Sequence, residues 1–162
     1  MKFFSRTQSL PEVLRQLLAP GEHLLAWAQH NAGFVAVTDQ RFISHSDAQV
    51  TSLLWHHILS AGWNDPQLSI VTAENDEPQI LTWIFDEPGL VPTAVRDRVT
   101  ATVLIDKAID VPEVGRVRFV AHRTPDGVVW TSIAENSSAV STVESQDRIR
   151  TALQNLRSTL GV

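Results

Sequence analysis

Cysteine is absent from the 162 residues of this chain. That absence removes disulfides, thiolate nucleophiles and every cysteine-ligated zinc or iron–sulfur site, and it suits a reducing compartment. No apolar run reaches the roughly 18 to 20 residues that span a bilayer. The N-terminal MKFFSRTQSLPEVL has too short an apolar run, and no small-residue cleavage site, for a signal peptide. These features point to a cytoplasmic protein. A Gly-x-Ser-x-Gly elbow, a Walker loop and a dinucleotide fingerprint are also missing. Positive charge is scarce in the first half: residues 1–90 hold 4 basic and 10 acidic side chains, against 9 and 8 in residues 91–162, so the net charge of −5 divides into −6 and +1. An acidic whole argues against nonspecific binding to nucleic acid or anionic membrane, both of which rest on clustered Lys and Arg, and leaves room only for a local basic patch in the second half.

What is present is a globular pattern, with 43% hydrophobic and 19% charged residues, enough apolar side chain for one ordinary core. Ser9-Leu10-Pro11-Glu12 has the form of a capping box. Leu10, Val13, Leu14, Leu17 and Leu18 then recur at helical spacing until Pro20-Gly21, which predicts an amphipathic helix over 10–18. From Glu22 to Phe85 the chain changes to short apolar segments between turn residues, predicting antiparallel strands at 22–30, 33–38, 41–46, 50–55, 59–64, 67–73 and 79–85. Within them, Thr38-Asp39-Gln40-Arg41 reads as a two-residue hairpin that sets Val37 opposite Phe42 and Ala36 opposite Ile43. Both faces of that hairpin are apolar, so each needs a cover: the C-terminal part of the chain or another subunit.

After Asp86-Glu87-Pro88-Gly89, the stripe Val91, Val95, Val99 and Val103 predicts a second helix over about 89–107, with Asp86 as its N-cap. GRVRFVAHR and VVWTSIA flank Thr124-Pro125-Asp126-Gly127, the clearest hairpin in the chain. Ser141-Thr142-Val143-Glu144 is a second capping box, and Ile149, Leu153, Leu156 and Leu160 predict a last helix over about 142–159.

Seven antiparallel strands followed by one helix is the order of a pleckstrin-homology-like (PH-like) barrel, and three motifs resemble those of the bacterial PH-like families. They are Pro20-Gly21-Glu22-His23-Leu24-Leu25-Ala26, then Thr38-Asp39-Gln40-Arg41, then Leu53-Leu54-Trp55-His56-His57-Ile58. The resemblance covers residues 20–107. It implies an α+β, mostly β fold: a seven-stranded antiparallel barrel capped by a helix over 21–108, preceded by the N-terminal helix of 1–20 and followed by a C-terminal hairpin-plus-helix (ββα) extension over 109–162. Function does not follow from fold. Phosphoinositide-binding PH domains usually carry several basic residues around the first hairpin. Here that loop is Gln29-His30-Asn31-Ala32-Gly33, without Lys or Arg, which argues against head-group binding by that route.

Sites are sparse. His56 and His57 are adjacent, which matches neither the strand nor the helix spacing of metal ligands, and reads as a corner beside Trp55; His23, His30 and His45 sit on separate strands. Asp86-Glu87 suits a helix start, and Glu74-Asn75-Asp76-Glu77 a solvated loop. Trp27, Trp55, Trp63 and Trp83 suit barrel filling, with Trp63 the one to inspect for exposure. No catalytic, cofactor or metal residues are assigned, and a noncatalytic protein is expected. If Pro125-Asp126-Gly127 form a three-residue loop, Arg116, Arg118, His122 and Trp130 share one sheet face that could meet a partner protein or stack on single-stranded nucleic acid. The other reading of the same residues puts Trp130 under a helix and the arginines in solvent. The expectation is a module for protein–protein interaction or self-association. The alternative is a small-ligand or lipid-associated module using the barrel mouth or a helix groove.

Overall fold

The two-sided apolar hairpin organises the first sheet. A computed structural model describes residues 9–47, 49–74 and 77–161. In it β1 (Leu24–His30), β2 (Gly33–Thr38), β3 (Arg41–Ser46) and β4 (Gln49–Leu54) form an antiparallel sheet in that order. The loop at Asp39-Gln40 pairs Val37 with Phe42 and Ala36 with Ile43, the expected register. Alternation then sends Val35, Val37 and Phe42 into the main core, and Ala36 and Ile43 to the opposite side. What covers that second face is neither the C-terminal part nor a second subunit but the N-terminal helix α1 (Glu12–Leu17), whose Leu14 is fully buried against Ala36 and Ile43. The Ser9 capping box does not form. Pro11 occupies the N-cap position with no side-chain bond, and Glu12 turns instead to Arg15 and Gln16 on its own helix.

A 3-10 turn at Trp55–His57 leads into the second antiparallel sheet, β5 (Ile58–Asn64), β6 (Gln67–Glu74) and β7 (Glu77–Ile84), again in sequence order. Asn75 and Asp76, in the acidic loop expected between β6 and β7, lie outside the described residues, as do Met1–Gln8. Helix α2 (Val91–Thr102) sets Val91, Val95 and Val99, spaced by four, into the core formed by Val35, Phe42, Trp55, Ile70, Trp83 and Phe85. Its N-cap is Leu90 rather than Asp86, and Pro92 falls in the first turn, where its missing N–H costs nothing.

The helix expected to run to residue 107 ends at Thr102, and Val103 starts a strand, β8 (Val103–Val111). Val103, Ile105, Ile109 and Val111 recur with period two, and pairing with β9 (Gly115–Thr124) gives their backbone a hydrogen-bonded ladder that overrides the valine stripe. With β10 (Gly127–Ala134) they form a third antiparallel sheet ordered β10-β9-β8. The C-terminal unit therefore has three strands, not two, before helix α3 (Val143–Leu160). One face of the third sheet packs on the second sheet, where Val120 and Ile133 meet Leu59, Val71 and Ala73. The other lies under α3, where Val117 and Phe119 meet Ile149, Leu153 and Leu156. The cap of α3 is one residue later than expected: Thr142 Oγ1 accepts the Ser145 N–H at 3.1 Å, and Gly161 closes the helix in the left-handed conformation, φ 70°.

Candidate functional site

The densest polar cluster on the first two sheets is the Thr38–Asp39 turn, where the three motifs of the PH-like resemblance meet. Glu22, just before β1, has a solvent-inaccessible side chain, and Arg41 at the start of β3 is 24% exposed. Their ion pair is a fork, with Arg41 Nε donating to Glu22 Oε1 at 2.9 Å and Nη2 donating to Oε2 at 3.0 Å. The carboxylate also accepts from Thr38 Oγ1 at 2.7 Å and from the Ala19 N–H at 2.8 Å. These bonds, led by those from Arg41, hold the Glu22 carboxyl down to a pKa of about 2. Nη2 also donates to the Leu17 carbonyl at 2.8 Å, capping α1, and the remaining arm, Nη1, donates to Ser52 Oγ of β4 at 3.1 Å.

The same turn collects the other elements. Trp55 donates its indole N–H to the Thr38 carbonyl at 3.1 Å, and Arg98 of α2 donates to the Asp39 carbonyl at 2.9 Å. Asp39 accepts from the His23 N–H at 2.9 Å and from its ring Nδ1 at 3.1 Å, and its pKa lies below the usual carboxylate value chiefly through that backbone bond. The Glu22 and Asp39 carboxylates are both spent on internal donors, so the arrangement locks helices and strands together. Periodicity alone misses this contact. The available signal was a lone Glu and a lone Arg bordering strands that are otherwise apolar.

The four residues assigned to a partner face do not share one. Gly127 pairs with Thr124, so the loop is the two residues Pro125-Asp126 and the register shifts by one from that expected. Trp130 then lies opposite Ala121 rather than His122, on the α3 side of the sheet, where it joins the apolar cluster under that helix, the alternative reading of that residue. Arg116, Arg118 and His122 lie on the other face. Arg118 is held in a fork by Asp106 at 2.8 and 2.6 Å, which lowers the Asp106 pKa, and Arg116 stands 3.7 Å from Asp110 and 3.8 Å from Glu135. His122 is fully buried between the second and third sheets.

His122 donates from Nε2 to the Ile58 carbonyl at 2.9 Å, so Nδ1 is the bare acceptor of the neutral ring, and it has no partner. Burial pushes its pKa down. The ring of His56 stacks edge-on to His57 at 4.3 Å, the corner expected from the sequence, and burial lowers its pKa too. No group of three or more His, Asp or Glu side chains able to hold a metal occurs among the described residues. His30, the last residue of β1, is buried and accepts the Ala32 N–H of the first hairpin loop at Nδ1. Trp63 is 36% exposed and tilts against Phe85. No helix among the described residues is long and apolar enough to cross a membrane.

Open concavities flank the C-terminal unit. One, of about 750 Å³, runs between α3 and the end of β8, lined by Val111, Pro112, Val143 and Ala152 with Asp110 and Asp147 at the rim. A second, of about 480 Å³, lies between Glu77-Pro78 and the Arg116–Arg118 side of the third sheet. The α3 residues of the first groove were expected in a helix but not as part of a site, because only the fold brings them beside β8. Comparison with protein families, with curated proteins and with solved structures finds no match to this chain.

Proposed function

We propose that the chain is a noncatalytic cytoplasmic PH-like module serving protein–protein interaction or self-association. The observation that carries this reading is the contrast between charged groups already paired within the chain and large apolar side chains left on its surface. Glu22, Asp39, Arg41 and Asp106 all engage internal partners, whereas Ile80, Leu90 and Val143 stand about 70% exposed or more, and the described grooves are shallow clefts on the C-terminal unit. The PH-like assignment draws on seven antiparallel strands in two sheets and on a helix after the seventh that packs against β1, β2 and β5. A ligand in the barrel mouth is less well supported, since Phe42, Trp55, Trp83, Phe85 and the α2 valines fill the interior.

Two measurements on the full chain test the proposal. Affinity capture from the native cell, with identification of stoichiometric partners, and sedimentation velocity over a hundredfold range of concentration should give a specific partner or a reversible oligomer. A monomer at every concentration with nothing co-purifying, or turnover of any substrate in a broad activity screen, would overturn it.

A further inference from the structure

One helix is too narrow for the sheet it covers. Three strands about 4.8 Å apart, with their side chains, present a face broader than the roughly 10 to 12 Å diameter of an α-helix. The packing bears this mismatch out. Of the α3 residues turned to the sheet, only Leu156 is buried, while Ile149, Ala152, Leu153 and Leu160 stay partly exposed, as does Ile109 of β8. Open space remains on both sides of α3, about 460 Å³ beside β10, lined by Ser132, Ala134, Gln146 and Ile149, and about 750 Å³ on the β8 side. There β8 is an edge strand, and the groove of about 750 Å³ runs beside α3 along Val143, Asp147, Thr151 and Asn155. That is a length of about 18 Å for twelve residues of helix rise.

The floor and the rim of this groove differ in chemistry. Val111 and Ala152 make an apolar floor, and Val143, 76% exposed at the first position of α3, leaves an apolar side chain at one end. Around it stand Asp110, Glu113, Glu144 and Asp147, against a single guanidinium, Arg148, which bridges Glu113 at 2.9 Å and Glu144 at 3.0 Å. Asp147 holds the outward-facing Arg150 at 2.9 Å, and Asp110 shares Arg116 with Glu135 at distances beyond 3.5 Å. The rim is therefore net negative. An acidic rim repels nucleic acid, and it repels the same groove of a second copy.

We propose that the α3–β8 groove docks a basic amphipathic helix from a partner protein. Such a helix would lay apolar side chains, spaced i, i+3 and i+4, on the floor and Lys or Arg along the carboxylates, completing the second half of the helical layer. This rests on the interaction-module reading and names the chemistry of the partner.

The test uses the isotope-labelled full chain and three synthetic 18-residue peptides: Leu and Lys at amphipathic spacing, Leu and Glu at the same spacing, and the Leu/Lys composition in scrambled order. The amphipathic Leu/Lys peptide should bind saturably, shift the amide signals of Val111, Val143, Asp147 and Thr151, and weaken at least tenfold with Val143→Asp/Asp147→Lys. Glu12→Lys, remote from the groove, should leave binding unchanged. Equal binding of the scrambled peptide, amide shifts confined to other surfaces, or an unaltered affinity in the double variant would overturn the proposal. So would reversible dimerisation abolished by Val143→Asp, which would put a second copy in the groove. If the double variant still captures the native partner, the groove assignment fails while the interaction-module reading stands. If the wild-type chain captures nothing and stays monomeric, that reading itself fails.

Discussion

Replacing Glu22 by Gln removes the charge at the centre of the Thr38–Asp39 turn while keeping the shape of the side chain. The carboxylate is closed to solvent, accepts four hydrogen bonds, and has a pKa of about 2 against an ordinary 4.5. At about 1.36 kcal/mol per pKa unit, that displacement corresponds to about 3 kcal/mol of folding free energy. Solvent reaches the Arg41 side of the pair, which brings the expected loss for Glu22→Gln to about 2 to 3 kcal/mol at pH 7. The pH dependence has a definite sign. A carboxyl whose pKa is lowered by folding contributes its stability above the unfolded value, and loses it as pH falls through the folded one. The wild-type advantage should therefore be full above about pH 5 and shrink from about 4.5 toward about 2. The Gln variant has no such titration. Urea unfolding followed by tryptophan fluorescence at pH 7, 5, 4 and 3 measures the gap directly. Adding Arg41→Gln should give a coupling of more than about 1 kcal/mol in a double-mutant cycle. A gap below about 1 kcal/mol at pH 7, or one that does not narrow in acid, refutes the reasoning.

Two other perturbations have equally definite outcomes. Leu14→Ala should cost about 2 to 4 kcal/mol in denaturant unfolding, because Leu14 is the fully buried side chain of α1 on Ala36 and Ile43; a loss under about 1 kcal/mol would mean that α1 does not cover that face. His122 has its pKa lowered by burial, so the unfolded chain takes up its proton first, and stability should fall as pH drops below about 6.5. His122→Gln should flatten the slope of unfolding free energy between pH 7.5 and 5.5, leaving the part due to His56, and an unchanged slope would count against the buried neutral ring.

The strands of the first two sheets were legible in the sequence because each is short, apolar and bounded by turn residues, as at Asn31-Ala32 and Asp39-Gln40. β8 was hidden because Val91, Val95, Val99 and Val103 continue a helical period into residues that also alternate, and only the ladder with β9 decides between the two. The partner-face assignment failed on one residue of register. Moving Gly127 from the loop into β10 reverses the face of Trp130 while leaving Arg116, Arg118 and His122 where they were. The Glu22–Arg41 fork joins residues nineteen apart, and the α3–β8 groove joins residues more than thirty apart. Neither separation leaves a periodic trace, so both had to wait for the fold.

A two-residue loop at the tip of a hairpin is ordinarily where a chain accepts foreign sequence. The Asp39-Gln40 loop looks like such a place, small, polar and at the end of two strands. Asp39 nevertheless anchors Arg98 through its carbonyl and His23 through its carboxylate, and Thr38 directly before it anchors Trp55 and Glu22. A tag or circular-permutation cut placed there would release four segments at once. Exposed Asn136–Ser138, bonded chiefly to one another, is the safer place to open the chain.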